Sequence, residues 1–150
     1  MDLLKDTRLY IPVIIVLATG MRRGELLGLK WKDFSPDKGA ITINQTLLYT
    51  TQGLQFTEPR ANQIRRTVTL PGLIVNELIN HKKQQAKTKL YAGTYHDHDL
   101  ICCLKDGTPW HPTTFSSCFN NTLKKHKLPH IRFYDLRAAH ANANMPVMRE

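Results

Sequence analysis

The run Ile11-Pro12-Val13-Ile14-Ile15-Val16-Leu17-Ala18 is apolar on every side. Such a pattern predicts a buried helix, here over Thr7 to Ala18. Asp6 or Thr7 offers a cap, Pro12 falls early enough for the first turn, and Gly20 ends it. Glu25, Leu26, Leu27 and Leu29 suit a short second helix. Pro36 and Gly39 punctuate a turn. Three β-branched runs follow: 40–50 (AITINQTLLYT), 54–58 (LQFTE) and 65–70 (RRTVTL). Together they predict one small antiparallel three-stranded sheet between about Ala40 and Leu70. Pro71 opens a helix from Gly72 to Lys89, with Leu73, Ile74, Leu78 and Ile79 at helical spacing. A loop at 91–99 and a short buried segment at 100–104 lead to a further helix. Thr113 or Thr114 is its expected cap, and Phe115 and Phe119 share one face. The last expected helix begins at Tyr134. The chain therefore reads as α+β, mostly helical, with a small sheet flanked by helices.

Composition narrows the class. A length of 150 residues, 41 % of them hydrophobic, supports one domain with a real core. The net charge of +9 and the pI of about 9.7 favour an acidic partner, nucleic acid above all. Cys102 and Cys103 are adjacent, Cys118 stands apart, and no metal-binding spacing occurs. They read as reduced thiols of a cytoplasmic protein. No apolar run approaches the roughly twenty residues of a membrane span, and the first ten residues lack signal-peptide form. The HDHD loop at 96–99 and the lysines Lys82, Lys83, Lys87 and Lys89 read as solvated surface.

Arg22 and Arg23 sit where the second helix begins. Cations at that positive end are disfavoured by about 0.3–1 kcal/mol, so an anion is called for. A phosphate would meet that need. Other basic groups, Arg60 with Arg65 and Arg66, and Arg137 with nearby histidines, also fall near element boundaries. Arginine presents a planar fork that matches two phosphate oxygens and keeps its charge at all working pH values. Charge alone does not pair Arg22 with Arg137; simple solvation explains two exposed arginines equally well.

The segment TGMRRGELLGLKWKDF, residues 19–34, resembles the first arginine box of the tyrosine recombinases, the phage-integrase family. Thr19, Gly20, Arg22, Glu25, Leu26, Leu29, Trp31 and Asp33 stand in its register. TEPRANQIRRTVTLP, at 57–71, is similar to the hairpin that carries that family's lysine. The segment from Gly107 to Ala141 resembles the approach to the second arginine box, with Tyr134-x-x-Arg137 where the family has H-x-x-R. The resemblance implies an integrase-type catalytic domain acting on double-stranded DNA without metal or other cofactor, through a phosphotyrosine intermediate. The full-length protein would then work as a tetramer on recombining DNA. It casts Arg22 and Arg137 as phosphate-holding arginines, with Glu25 placed to hold the Arg22 guanidinium. Arg60 falls at the lysine position, Tyr134 at the histidine position, and His140 is a substitute acid–base group. Arg23, Arg65, Arg66 and His111 are expected DNA contacts.

The sequence departs from the family in three ways. Arg60 is a poor proton donor where a lysine is usual. Tyr134 hydrogen-bonds but shuttles protons less readily than histidine. The family's nucleophilic tyrosine follows an L-G-H segment that residues 1–150 do not contain. The expectation is a partial catalytic domain, lacking that segment and the family's upstream DNA-clamping domain. The alternatives are a DNA-binding remnant without catalysis and, from another class, a basic RNA-binding domain.

Overall fold

The computed structural model describes residues 4–58 and 65–143. The helices are α1 (Tyr10–Thr19), α2 (Arg23–Leu27), α3 (Gly72–Tyr91), α4 (Pro112–Lys125) and α5 (Asp135–Ala143). The strands are β1 (Phe34–Ser35), β2 (Ala40–Ile43), β3 (Thr46–Thr50), β4 (Gly53–Thr57) and β5 (Arg66–Thr69). The architecture is α+β.

α1 is the central post. Ile11 and Val13 through Val16 are all buried, as an all-round apolar helix requires. It begins at Tyr10, three residues later than expected. The Thr7 hydroxyl instead organises the preceding turn, donating to the Leu4 carbonyl (2.7 Å) and accepting from the Leu9 N–H (3.2 Å). Gly20 ends α1 in the left-handed region at φ 70° and returns its N–H to the Val16 carbonyl (2.7 Å). A Cβ there would also overlap the His140 ring.

The expected strand at 40–50 is two strands. Asn44 and Gln45 divide it, because their side chains bond elsewhere. Asn44 donates to the buried Asp33 carboxylate (2.7 Å) and Gln45 to the Gly28 carbonyl (2.6 Å). β2 pairs antiparallel with β5, setting Ile41 opposite Val68, and on its other side with β1. The three-stranded antiparallel sheet thus has the order β1-β2-β5. β3 and β4 form a separate hairpin, Thr46 opposite Thr57.

α4 starts at Pro112, and its cap is His111, not Thr113 or Thr114; the His111 Nδ1 accepts from the Thr113 N–H (3.2 Å). Its buried face, Phe115, Phe119 and Leu123, meets Phe133 edge-on, with ring centroids 5.0 and 5.2 Å from Phe115 and Phe119. Edge-to-face rings of this kind add about 0.5–1.5 kcal/mol beyond area burial. α5 lies along α1, and Tyr134 sits just before it rather than inside it. No helix among the described residues is long and apolar enough to cross a membrane.

Candidate nucleic-acid interface

The turn from α1 into α2 is built tightly. The Thr19 hydroxyl donates to the Ile15 carbonyl (2.7 Å) and accepts from the Met21 N–H (3.3 Å). Met21 is fully buried, which anchors the turn and leaves Arg22 and Arg23 exposed on either side of the start of α2. α2 is only five residues long, so its dipole is weak. Glu25 in its first turn answers what remains of that dipole, its Oε1 accepting from the Arg22 backbone N–H (2.8 Å).

Glu25 does not hold the Arg22 guanidinium. It is 3 % exposed and its two oxygens take the Arg66 fork from β5, at 3.0 and 3.1 Å. One carboxylate serves the backbone of α2 and the side chain of β5 at once, leaving the Arg22 guanidinium unpaired among the described residues. Burial pushes the Glu25 pKa up. The Arg66 hydrogen bonds, the Arg22 N–H and the two arginine charges outweigh it and hold the carboxyl below its ordinary value.

Arg137 arrives from α5, far along the chain. Its Nε donates to the Gly20 carbonyl (2.8 Å), which ties it to the turn that presents Arg22. Arg22 and Arg137 line one cleft of about 530 Å³, together with Arg23, Arg132, His130 and Tyr134. Among the described residues no acidic side chain lines it. Tyr134 is 64 % exposed, with the guanidinium carbons of Arg132 and Arg137 at 5.9 and 5.7 Å from its ring centre. Arg23 reaches across to α4, donating to Ser116 Oγ (2.8 Å).

The remaining expected residues go elsewhere. His140 bonds through Nδ1 to the Leu17 carbonyl (2.8 Å) and packs on Gly20, so it joins α5 to α1 and does not line the cleft. Arg66 is committed to Glu25, and exposed Arg65 to Glu58 (3.2 Å). Arg60 lies outside the described residues. His111 caps α4 and sits 4.4 Å from the Tyr49 ring, lining a second cleft on the other side of α2. In the 96–99 loop Asp97 pairs with Lys89, and His98 packs toward Phe56. Among the described residues no three His, Cys, Asp or Glu side chains are grouped to hold a metal ion. Sequence reasoning passed over Arg132, Ser116 and Tyr49. Arg132 lies two residues before Tyr134, and that proximity was its available signal.

Comparison with known proteins fits this geometry. The phage integrase family profile matches residues 2–145. A tyrosine recombinase XerC-like protein of Caldanaerobacter subterraneus subsp. tengcongensis is 25 % identical over 153 residues, covering 93 % of this chain and 39 % of the relative. The ICEBs1 integrase of Bacillus subtilis is 26 % identical over 126 residues, covering 84 % and 34 % respectively. The chain therefore spans well under half the length of these relatives. The integrase of transposon Tn1549, solved in complex with transposon right-end DNA, superposes with a TM-score of 0.78 at 20 % identity. That match covers 96 % of this chain and 50 % of the other, and it establishes the shared fold.

Proposed function

The chain belongs to the phage integrase family, and from that premise we propose that its arginine-lined cleft holds a phosphodiester of double-stranded DNA during site-specific breakage and rejoining. One observation carries the reading: Arg22 and Arg137, from opposite ends of the sequence, line one cleft with two further arginines and, among the described residues, no acid. Each guanidinium is a planar donor fork for non-bridging oxygens. Arg137 is held in advance by its bond to the Gly20 carbonyl and Arg22 leaves the same turn, so both forks face the charge that grows on phosphorus oxygens as a fifth ligand approaches. The Tyr134 hydroxyl adds a hydrogen-bond donor at the cleft's mouth. In the family a tyrosine hydroxyl attacks phosphorus and the 5′-oxygen leaves with a proton. The phosphotyrosine ester conserves the bond energy for rejoining. This chain supplies the phosphate site; Arg60 occupies the proton donor's place in the sequence.

The test is duplex DNA binding across a range of salt concentrations. Arg22→Ala and Arg137→Ala are each expected to lower the log–log salt slope by about 1, the loss of one phosphate contact. A slope unchanged in both variants sinks the reading. Chelator is expected to leave binding unaltered.

Two residues favour a second reading, a DNA-binding remnant without catalysis: Arg60 in place of lysine and Tyr134 in place of histidine. In a version extended with the family's tyrosine segment, Arg60→Lys is expected to raise cleavage of ordinary DNA. It should matter less for a substrate with a 5′-bridging sulfur, whose thiolate leaves without a proton. Equal gains from the sulfur substrate with Arg60 and with lysine remove Arg60 from the leaving-group position.

A further inference from the structure

The cleft on the hairpin side of α2 is the larger of the two, about 700 Å³. Arg22, Arg23 and Gly24 line both clefts, so the start of α2 is the partition between them. Two carboxylates, Glu25 and Glu58, also line the larger one, and both are already paired, with Arg66 and Arg65. The charge left over in this lining is that of Arg22 and Arg23. The opposite wall is the start of α4 and Tyr49 of β3. The His111 Nδ1 accepts the Thr113 N–H, which places the neutral ring's proton on Nε2 as a donor. Thr113 is exposed, and Tyr49, 63 % exposed, packs against His111. The α2 and α4 walls of the cleft thus offer cations and donors, while Glu25 is committed to Arg66 and Glu58, on the hairpin rim, gives one oxygen to Arg65. A lining of that kind suits an acceptor-rich anion.

We propose that this second cleft takes the adjoining phosphodiester of the DNA strand whose first phosphate lies between Arg22 and Arg137. Arg22 then serves both phosphates, and His111 and Thr113 face the second. The proposal rests on the reading of the first cleft given above. It also gives the cap of α4 a purpose: the residue that closes the helix end turns its other nitrogen toward the ligand. The Tyr49 ring, packed on His111, holds the imidazole in that orientation.

His111→Asp and His111→Asn test it. Both keep a side-chain acceptor for the α4 cap, so both are expected to fold. Only the aspartate brings a negative charge to the proposed phosphate. Affinity for a short fluorescent DNA duplex is expected to be about three- to tenfold lower for His111→Asp than for His111→Asn at low salt, the gap closing as salt rises. Gln84→Glu on α3 adds the same charge away from both clefts and is expected to cost much less. Equal affinity in the two His111 variants, or an equal loss from Gln84→Glu, overturns the proposal. In the unaltered protein, duplex DNA is expected to shift the His111 ring resonances; unmoved resonances overturn it independently of any variant. Arg137 lines the first cleft alone. If Arg137→Ala binds DNA normally while the His111 pair differs, the first-cleft reading fails and the second cleft stands. If Arg137→Ala binds weakly and the pair does not differ, the reverse holds.

Discussion

Two polar clusters in this molecule draw on several segments, and they end in opposite states. At the Gln85 cluster every partner is internal. The Gln85 Oε1 accepts from the Trp31 indole (2.8 Å), and its amide donates to the Leu100 and Ile101 carbonyls at 3.1 and 2.9 Å. The His81 Nε2 donates to the same Ile101 carbonyl (2.6 Å). At the arginine cleft Arg132 shares an exposed ion pair with Asp135 (3.3 Å), and the Arg22 guanidinium has no partner among the described residues. Buried polar groups must be paired within the fold or cost stability. Exposed cations face no such demand, because water solvates them until a ligand displaces it. The closed cluster therefore converts its hydrogen bonds into stability, whereas the donors of the open one stay at the surface, where the proposed phosphate would meet them.

Breaking the closed cluster is expected to give the largest effect. Gln85→Ala leaves the Trp31 N–H and the Leu100 carbonyl without this partner, an expected loss of about 1–3 kcal/mol. Thermal or urea unfolding measures it, while DNA affinity at a temperature where the variant is folded should be unchanged. A variant that loses DNA affinity without losing stability would reverse the assignment of the two clusters.

A smaller effect separates the clusters by pH. Burial lowers the His81 pKa below its ordinary 6.5, and the bond to the Ile101 carbonyl only partly opposes this. The unfolded chain therefore binds the proton more readily than the folded protein, and stability rises with pH. The contribution is complete above about pH 6.5 and is lost as pH falls through the depressed folded value. The carboxylates whose pKa is lowered, Glu25 among them, act in a more acid range, below their ordinary values near 4. A melting temperature that falls between pH 7 and 5, and falls less in His81→Gln, is the expected result. The smallest change is expected from Arg132→Ala. It removes one exposed cation from the open cleft and should weaken duplex binding about twofold at low salt. Stability should stay within the scatter of surface substitutions.

Elements with strong periodicity were legible in the sequence. α1 and α3 were readable from apolar spacing, and α4 from the Phe115–Phe119 face. Strand partners were not, because β1 is two residues long and carries no pattern, while the split at Asn44 and Gln45 depends on acceptors supplied by Asp33 and Gly28. The site divides in the same way. Arg22 and Arg137 were singled out by the motif that each occupies, and the fold sets both in the lining of one cleft. The partner of Glu25 was not: i,i+3 spacing favours Arg22, whereas the folded chain delivers Arg66 from β5. His111 carried a DNA-contact expectation, but its capping role emerges only once Tyr49 and α4 are in place.

The placement of the β3–β4 hairpin between β2 and β5 has a kinetic consequence. Pairing Ile43 with Arg66 closes a loop of residues 44–65. When β3 and β4 zip first, Thr46 and Thr57 become neighbours, and the free chain in that loop shrinks to its flanks. Halving a loop lowers its closure cost by about 0.6 kcal/mol. Hairpins form in roughly microseconds, faster than most long-range pairings. The local hairpin thus acts as a clasp that shortens the search for the outer ladder. Through the Arg66–Glu25 pair, that ladder is also tied to α2, the helix that follows the arginine turn.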